Sequence, residues 1–303
     1  VALLCGVGLG VPLGYEGPMV YFGGAVGGTI APRLPAGLTA GRRTATMACA
    51  TAAVAVVIGA PIAAAFFASE VIRRGWPRGR DHLALATGAA AAWLVLRSFG
   101  DPGGIVGTAP AAAIGAATMG AAVIGVTCGA AGRVFALLVI GAKHLHWTLS
   151  RRIVMVAMAL LVVVPLGRVT SGAWIFVGNG QRLVTWAHDG AVLGVALAVV
   201  VFAGLVVVMV AGGVVGGLFL PLLSIGGAIG LVLTRSWLAG LSPTVAVGVG
   251  ACAMLAAGYG TPLAALALAV SMLGTGSAGA AAVIAIVVAS SMSRDASVST
   301  YQW

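Results

Sequence analysis

The chain reads as long apolar runs separated by short polar interruptions. The interruptions fall at Arg33–Arg43, Arg73–His82, Gly100–Pro110, Lys143–Arg152, Gly167–Gly190, Arg235–Pro243 and Met292–Asp295. Runs such as Ala191 to Leu220 and Gly274 to Met292 carry no charge, and uncharged apolar stretches of about 18 residues or more predict transmembrane helices. The run Thr44–Ile72 is broken at Gly59-Ala60-Pro61. The run Ile114–Ala142, interrupted only by Arg133, is long enough to span with some tilt. Other segments are too short to span alone, and short segments interrupted by Gly and Pro predict discontinuous helices. The expected fold class is all-α: a polytopic membrane protein whose discontinuous helices meet near the bilayer midplane.

The pattern also repeats. "GYEGPMVYFGGAVG" (Gly14–Gly27) recurs in outline as "GGLFLPLLSIGGAIG" (Gly216–Gly230). Each has a glycine, then a proline, then an apolar stretch ending in GGxxG. Downstream, "GAPIAAAFFASEV" (Gly59–Val71) is matched by "GTPLAALALAVSM" (Gly260–Met272). The interval from Pro18 to Pro61 is nearly that from Pro221 to Pro262. Inverted-topology repeats with a site at their interface are the usual membrane solution. A single transmembrane domain over 1–303 is expected, with repeat one at about 1–142 and repeat two at about 153–303.

Composition supports the membrane reading. The chain is 61% hydrophobic and 7% charged, with mean hydropathy +1.13, whereas a soluble chain carries about 25% charged residues. The net charge of +10 comes from having only six acids, not from basic tracts. The densest cluster, Arg73, Arg74, Arg78 and Arg80, follows an apolar segment and reads as a cytoplasmic juxtamembrane anchor. No aromatic or basic face supports nucleic-acid binding. Cys5, Cys49, Cys128 and Cys252 lie in apolar runs without CxxC spacing and read as buried free thiols.

The chemistry lies in the Gly–Pro motifs. Proline is favoured in the first turn of a helix, where its missing N–H costs nothing, so Pro18 and Pro221 mark helix starts. Gly14 and Gly217 before them allow main-chain amides to converge. A helix start leaves N–H groups without intrahelical partners and carries partial positive charge. Inside a bilayer those donors must be satisfied, and an anion fits. Two such starts, one per repeat, make an anion site without a full positive charge, which matters because a buried lysine or arginine would hold the ion too tightly. Glu16 lies inside the first motif. Its carboxylate can occupy the anion's place and leave when protonated, which would make it a gate. The alternative is a carboxylate capping its own helix for stability.

These residues resemble a known family. Gly14-Tyr15-Glu16-Gly17-Pro18 is similar to the G-(K/R)-E-G-P motif of the CLC chloride channels and proton-coupled chloride exchangers. Gly217-Leu218-Phe219-Leu220-Pro221 is similar to its G-x-F-x-P motif. Ala60-Pro61 leading to Ser69-Glu70-Val71 looks like its A-P-x-(A/G)…E segment, and Tyr301 falls where the family has its central-site tyrosine. The resemblance implies a homodimer with an anion pathway in each subunit. It implies chloride held by the backbone amides of Tyr15, Glu16, Gly17, Leu218 and Phe219 and by the Tyr301 hydroxyl, with Glu16 as gate. No cofactor beyond bound chloride, no metal and no enzymatic activity are implied. The expected location is integral to the membrane, the cytoplasmic membrane of a bacterium.

Three departures stand out. The family's first anion motif, G-S-G-I-P, is not present and is expected N-terminal to Val1, so the chain reads as part of a longer protein. Tyr15 stands where the family has a basic residue, removing a positive charge from the pathway. Val71 stands where the exchangers have a second, proton-relaying glutamate. Glu70 precedes it and reads as a helix-end partner of Arg73 or Arg74, and the second repeat has Ser271 in the matching region. Val71 favours gated passive chloride flux. Chloride/proton exchange is the alternative, with fluoride/proton exchange less favoured because Phe219 and Tyr301 are retained. A non-conducting membrane subunit is the alternative of another class.

Smaller signals carry less. His144 and His146 form an H-x-H pair with no nearby acid or thiol to complete a metal site. Asp101 and Asp189 read as turn residues. "VGNGQ" (Val177–Gln181) is a loop without the Lys-Ser/Thr ending of a phosphate cradle. No nucleophile–base constellation appears.

Overall fold

A computed structural model describes residues 10–33, 42–73, 79, 81–99, 114–236, 241–293 and 296–299. Among them the fold is all-helical, and the one β-type feature is an isolated antiparallel bridge between Gly14 and Gly217. In chain order the helices are α1 (Glu16–Ile30), α2 (Arg42–Ile58), α3 (Pro61–Arg73), α4 (Asp81–Phe99) and α5 (Ile114–Lys143). They continue with α6 (Leu149–Met158), α7 (Val164–Ser171), α8 (Gln181–Ala187) and α9 (Val192–Ala211). The last are α10 (Phe219–Ser236), α11 (Pro243–Tyr259), α12 (Pro262–Leu273) and α13 (Ser277–Met292). A π turn, Ala159–Val163, joins α6 to α7. Pro165, which has no N–H to return to the preceding turn, stands at its end.

Five described segments are long and apolar enough to cross a membrane: Asp81–Phe99, Thr118–Lys143, Leu149–Ser171, Val192–Ala211 and Phe219–Ser236. Others are too short. With a rise of 1.5 Å per residue, the 13 residues of α3 and the 12 of α12 reach only about 20 Å, against a hydrocarbon core of about 30 Å. The discontinuous helices expected from the Gly/Pro interruptions are therefore present. The uncharged run before Met292 is also divided: Gly274 turns the chain at φ +74°, and only Ser277–Met292 is helical.

Both copies of the repeat fold alike. α2 ends at Ile58, Gly59 adopts φ +70°, and α3 starts at Pro61. α11 ends at Tyr259, Gly260 adopts φ +69°, and α12 starts at Pro262. In each copy a left-handed glycine terminates one helix and a proline opens the next.

The GGxxG endings act in packing. Gly23 and Gly27 of α1 face α2, where a Cβ would strike the carbonyls of Cys49 and Ala45. Gly226 and Gly230 of α10 face α11, where a Cβ would strike those of Gly250 and Ala246. Each pair is a small-xxx-small stripe. In lipid, where apolar surfaces gain little from leaving the solvent, such close backbone approach is what holds helices together. α1 is thereby locked on α2, and α10 on α11. The buried core runs through α10 and α11, including Phe219, Leu222, Leu231, Met254 and Leu255.

Tyr301, Asp101, Cys5, Arg74, Arg78 and Arg80, and the side chain of Arg73, lie outside the described residues. Cys128 and Cys252 are buried free thiols and Cys49 is a half-buried one. His144 and His146 follow the end of α5 and are exposed, and Asp189 lies in the turn after α8.

Candidate anion site between two helix starts

Two helix beginnings from opposite repeats are joined through their backbones. Gly14 N–H donates to Gly217 O at 2.8 Å, and Gly217 N–H donates to Gly14 O at 2.6 Å. The two segments run antiparallel at this bridge. α1 then starts at Glu16 and α10 at Phe219. The two helices' positive ends thus begin within two residues of the same bridge.

Glu16 is 1% exposed and sits in this junction. Its Oε1 accepts a hydrogen bond from the Leu220 N–H at 3.1 Å. Its Oε2 is buried without a hydrogen-bond partner. A Cβ on Gly14 or on Gly217 would overlap the carboxylate, so neither position has room for a side chain. The carboxylate therefore caps the helix of the other repeat. Of the expected backbone donors, Tyr15, Glu16, Gly17, Leu218 and Phe219 all lie in this junction. Leu220, which donates to Glu16, was not among them. The G-x-F-x-P spacing offered one signal for it, since Leu220 lies within the first turn of the helix that Pro221 marks.

A cavity of about 250 Å³ opens beside the junction. Its wall includes Glu16, Gly17, Pro18, Gly216, Gly217 and Leu218. Glycines can present only backbone to it, so main-chain groups of both helix starts face this space. Phe67, Val71, Tyr259 and Lys143 also line it. The Phe67 ring packs edge-on against Phe219 at 4.9 Å and against Tyr259 at 5.1 Å, which fixes the aromatic side of the wall. Val71 is buried and presents its methyl groups to the same cavity.

Lys143 changes the sequence picture. The site was expected to lack a full positive charge, yet a lysine lines the same cavity. In the sequence it appears only as the polar residue that closes the run Ile114–Ala142. Its distance in sequence from both motifs hid its place beside them.

Glu70 has partners that its own helix did not suggest. Its Oε1 accepts from the Leu263 N–H at 3.0 Å and its Oε2 from the Ala264 N–H at 2.9 Å. It caps the start of α12, the other repeat's counterpart of α3. Ser271, its match in α12, donates to the Ala267 carbonyl of its own helix. Tyr15 is more than one-third exposed at the edge of the site, with its hydroxyl beside the Asn179 side chain. The VGNGQ loop is thereby placed against the motif, and Asn179 O accepts from Ser224 Oγ of α10 at 3.1 Å.

The model of the voltage gated chloride channel family matches residues 1–294. The chain belongs to that family. Three solved CLC structures share its fold. A slow cyanobacterial Cl⁻/H⁺ antiporter superposes with TM-score 0.75 at 20% identity, over 95% of this chain and 69% of that one. A CLC-type fluoride/proton antiporter gives 0.73 at 23%, over 96% and 72%. A eukaryotic CLC transporter gives 0.75 at 18%, over 98% of this chain and 53% of that one. At these identities the likeness is one of fold. No curated protein sequence matches the chain significantly. Membership in the CLC family makes this an integral membrane protein of an anion-transporting family.

Proposed function

We propose that this CLC protein carries chloride passively through the cavity between α1 and α10, with Glu16 as its gate. One observation carries the reading. The Glu16 carboxylate occupies the meeting point of two helix starts, on the Leu220 N–H, where a permeating anion would find the same donors. Charged and seated, the carboxylate competes with the anion. Protonated, it loses its hold on the amide and vacates the place. The backbone amides of Tyr15, Gly17, Leu218 and Phe219 then face the anion. They give it partial charges and not an ion pair, which lets it leave again. The homodimer and the role of the Tyr301 hydroxyl belong to the same proposal.

Val71 favours passive flux, because a valine in the cavity wall cannot relay a proton. The second reading, coupled exchange, is supported by the Cl⁻/H⁺ and fluoride/proton antiporters that share the fold. Reconstituted protein in liposomes distinguishes them. A chloride gradient is imposed and internal pH is followed. Passive flux leaves protons where they are. Proton movement against its own gradient, driven by chloride, overturns the channel reading and establishes exchange.

A further inference from the structure

We infer that Lys143 is the fixed cation of the anion pathway, drawing chloride into the cavity beside Glu16. This rests on the reading of that cavity as the chloride route. Lys143 is the last residue of α5, and its side chain reaches the cavity that Glu16, Gly17, Gly217 and Leu218 also line. Of the described residues lining that cavity, only Glu16 and Lys143 are charged.

The ammonium is held in place. Nζ donates to the Val298 carbonyl at 2.6 Å. Val298 N–H in turn donates to Gly258 O at 2.8 Å, near the end of α11. Ser297 Oγ donates to the carbonyl of Tyr259, and Tyr259 is itself part of the cavity wall. The segment 296–299 therefore docks on α11 and gives Lys143 a fixed anchor. A lysine is a compact charge with three donors.

The physics separates two tasks. Partial charges at the helix starts hold the anion reversibly. A full charge on the cavity wall raises the local anion concentration, because low-dielectric walls focus its field. The ammonium is pinned on the Val298 carbonyl, so it recruits the anion without becoming its seat. The Tyr15 substitution makes this more consequential, since the usual basic residue beside the gate is missing and Lys143 supplies a charge from another element.

The test compares wild-type protein with Lys143→Gln and Lys143→Met. Gln keeps a donor for Val298 and drops the charge. Met keeps the stem and drops both, and a folded product from either, judged by gel filtration, suffices. Lys143→Arg keeps the charge. Chloride binding is measured by calorimetry, and chloride efflux from liposomes at low and at saturating chloride. The neutral variants should weaken apparent chloride affinity by at least about fivefold, the effect of one unit charge up to about 15 Å away at an effective dielectric constant near 20. Efflux should fall at low chloride and recover at saturation, and Lys143→Arg should restore affinity. Unchanged affinity in a neutral variant, with wild-type chloride binding intact, reduces Lys143 to a tether for segment 296–299. Wild-type protein that neither binds nor carries chloride overturns the transport reading, and the role of Lys143 falls with it.

Discussion

The Glu16 carboxylate and the Leu220 amide, 204 positions apart in the chain, share a hydrogen bond of 3.1 Å across the junction of the two repeats. An acid from one repeat thus closes the helix start of the other. Its second oxygen is buried and unpartnered, which is costly for a charged group and favours a group that can shed its charge. Both facts follow from bringing two Gly–Pro motifs together back to back.

Glu16→Gln should mimic the protonated gate. Wild-type chloride flux is expected to rise as pH falls, because protonation removes the charge that competes with the anion. The Gln variant should show high flux that no longer varies with pH. Efflux from liposomes between pH 4.5 and 7.5 measures this. A variant with the wild-type pH profile would leave Glu16 as a helix cap alone.

Gly217→Ala should unseat the same carboxylate without touching its chemistry. The added Cβ would collide with Glu16 Oε2 and stand 2.8 Å from the Gly17 nitrogen. Thermal stability in detergent should drop, by about 1–3 kcal/mol as for overpacked cores. Flux at neutral pH should rise as the gate is displaced. Wild-type stability with wild-type flux would show that the junction has more slack than the bridge implies.

Glu70 should matter for stability and not for conduction. Glu70→Ala removes the acceptor for Leu263 and Ala264 at the start of α12. The cost should be about 1–3 kcal/mol for leaving buried donors unpaired. Glu70→Gln, which keeps one acceptor, should cost less, and both should retain the chloride flux and its pH profile. Loss of chloride-driven proton movement in Glu70→Gln would instead make it a proton relay.

Gly226→Val should prevent α10 from seating on α11, since even a Cβ would meet the Gly250 carbonyl. Recovery of monodisperse protein is expected to fall sharply. Gly204→Ala in α9, where a Cβ meets nothing within 4 Å, is the neutral control. Equal yields from both would remove the packing role assigned to the GGxxG stripe.

Much of this molecule is legible residue by residue because its signals are local. Apolar run length sets helix length, Gly59-Ala60-Pro61 and Gly260-Thr261-Pro262 mark a stop and a start, and the two Gly–Pro motifs announce a repeated unit. The close-packing role of Gly23, Gly27, Gly226 and Gly230 was also open to reading, since a four-residue interval puts both glycines on one helix face. Partner choice was not. Leu220 beneath Glu16, the α12 start beneath Glu70, and Lys143 in the cavity wall each join residues more than 70 positions apart. No periodicity encodes such pairs. A buried donor takes whichever acceptor the packed helices bring within about 3 Å, and only the folded arrangement of two intertwined repeats selects it.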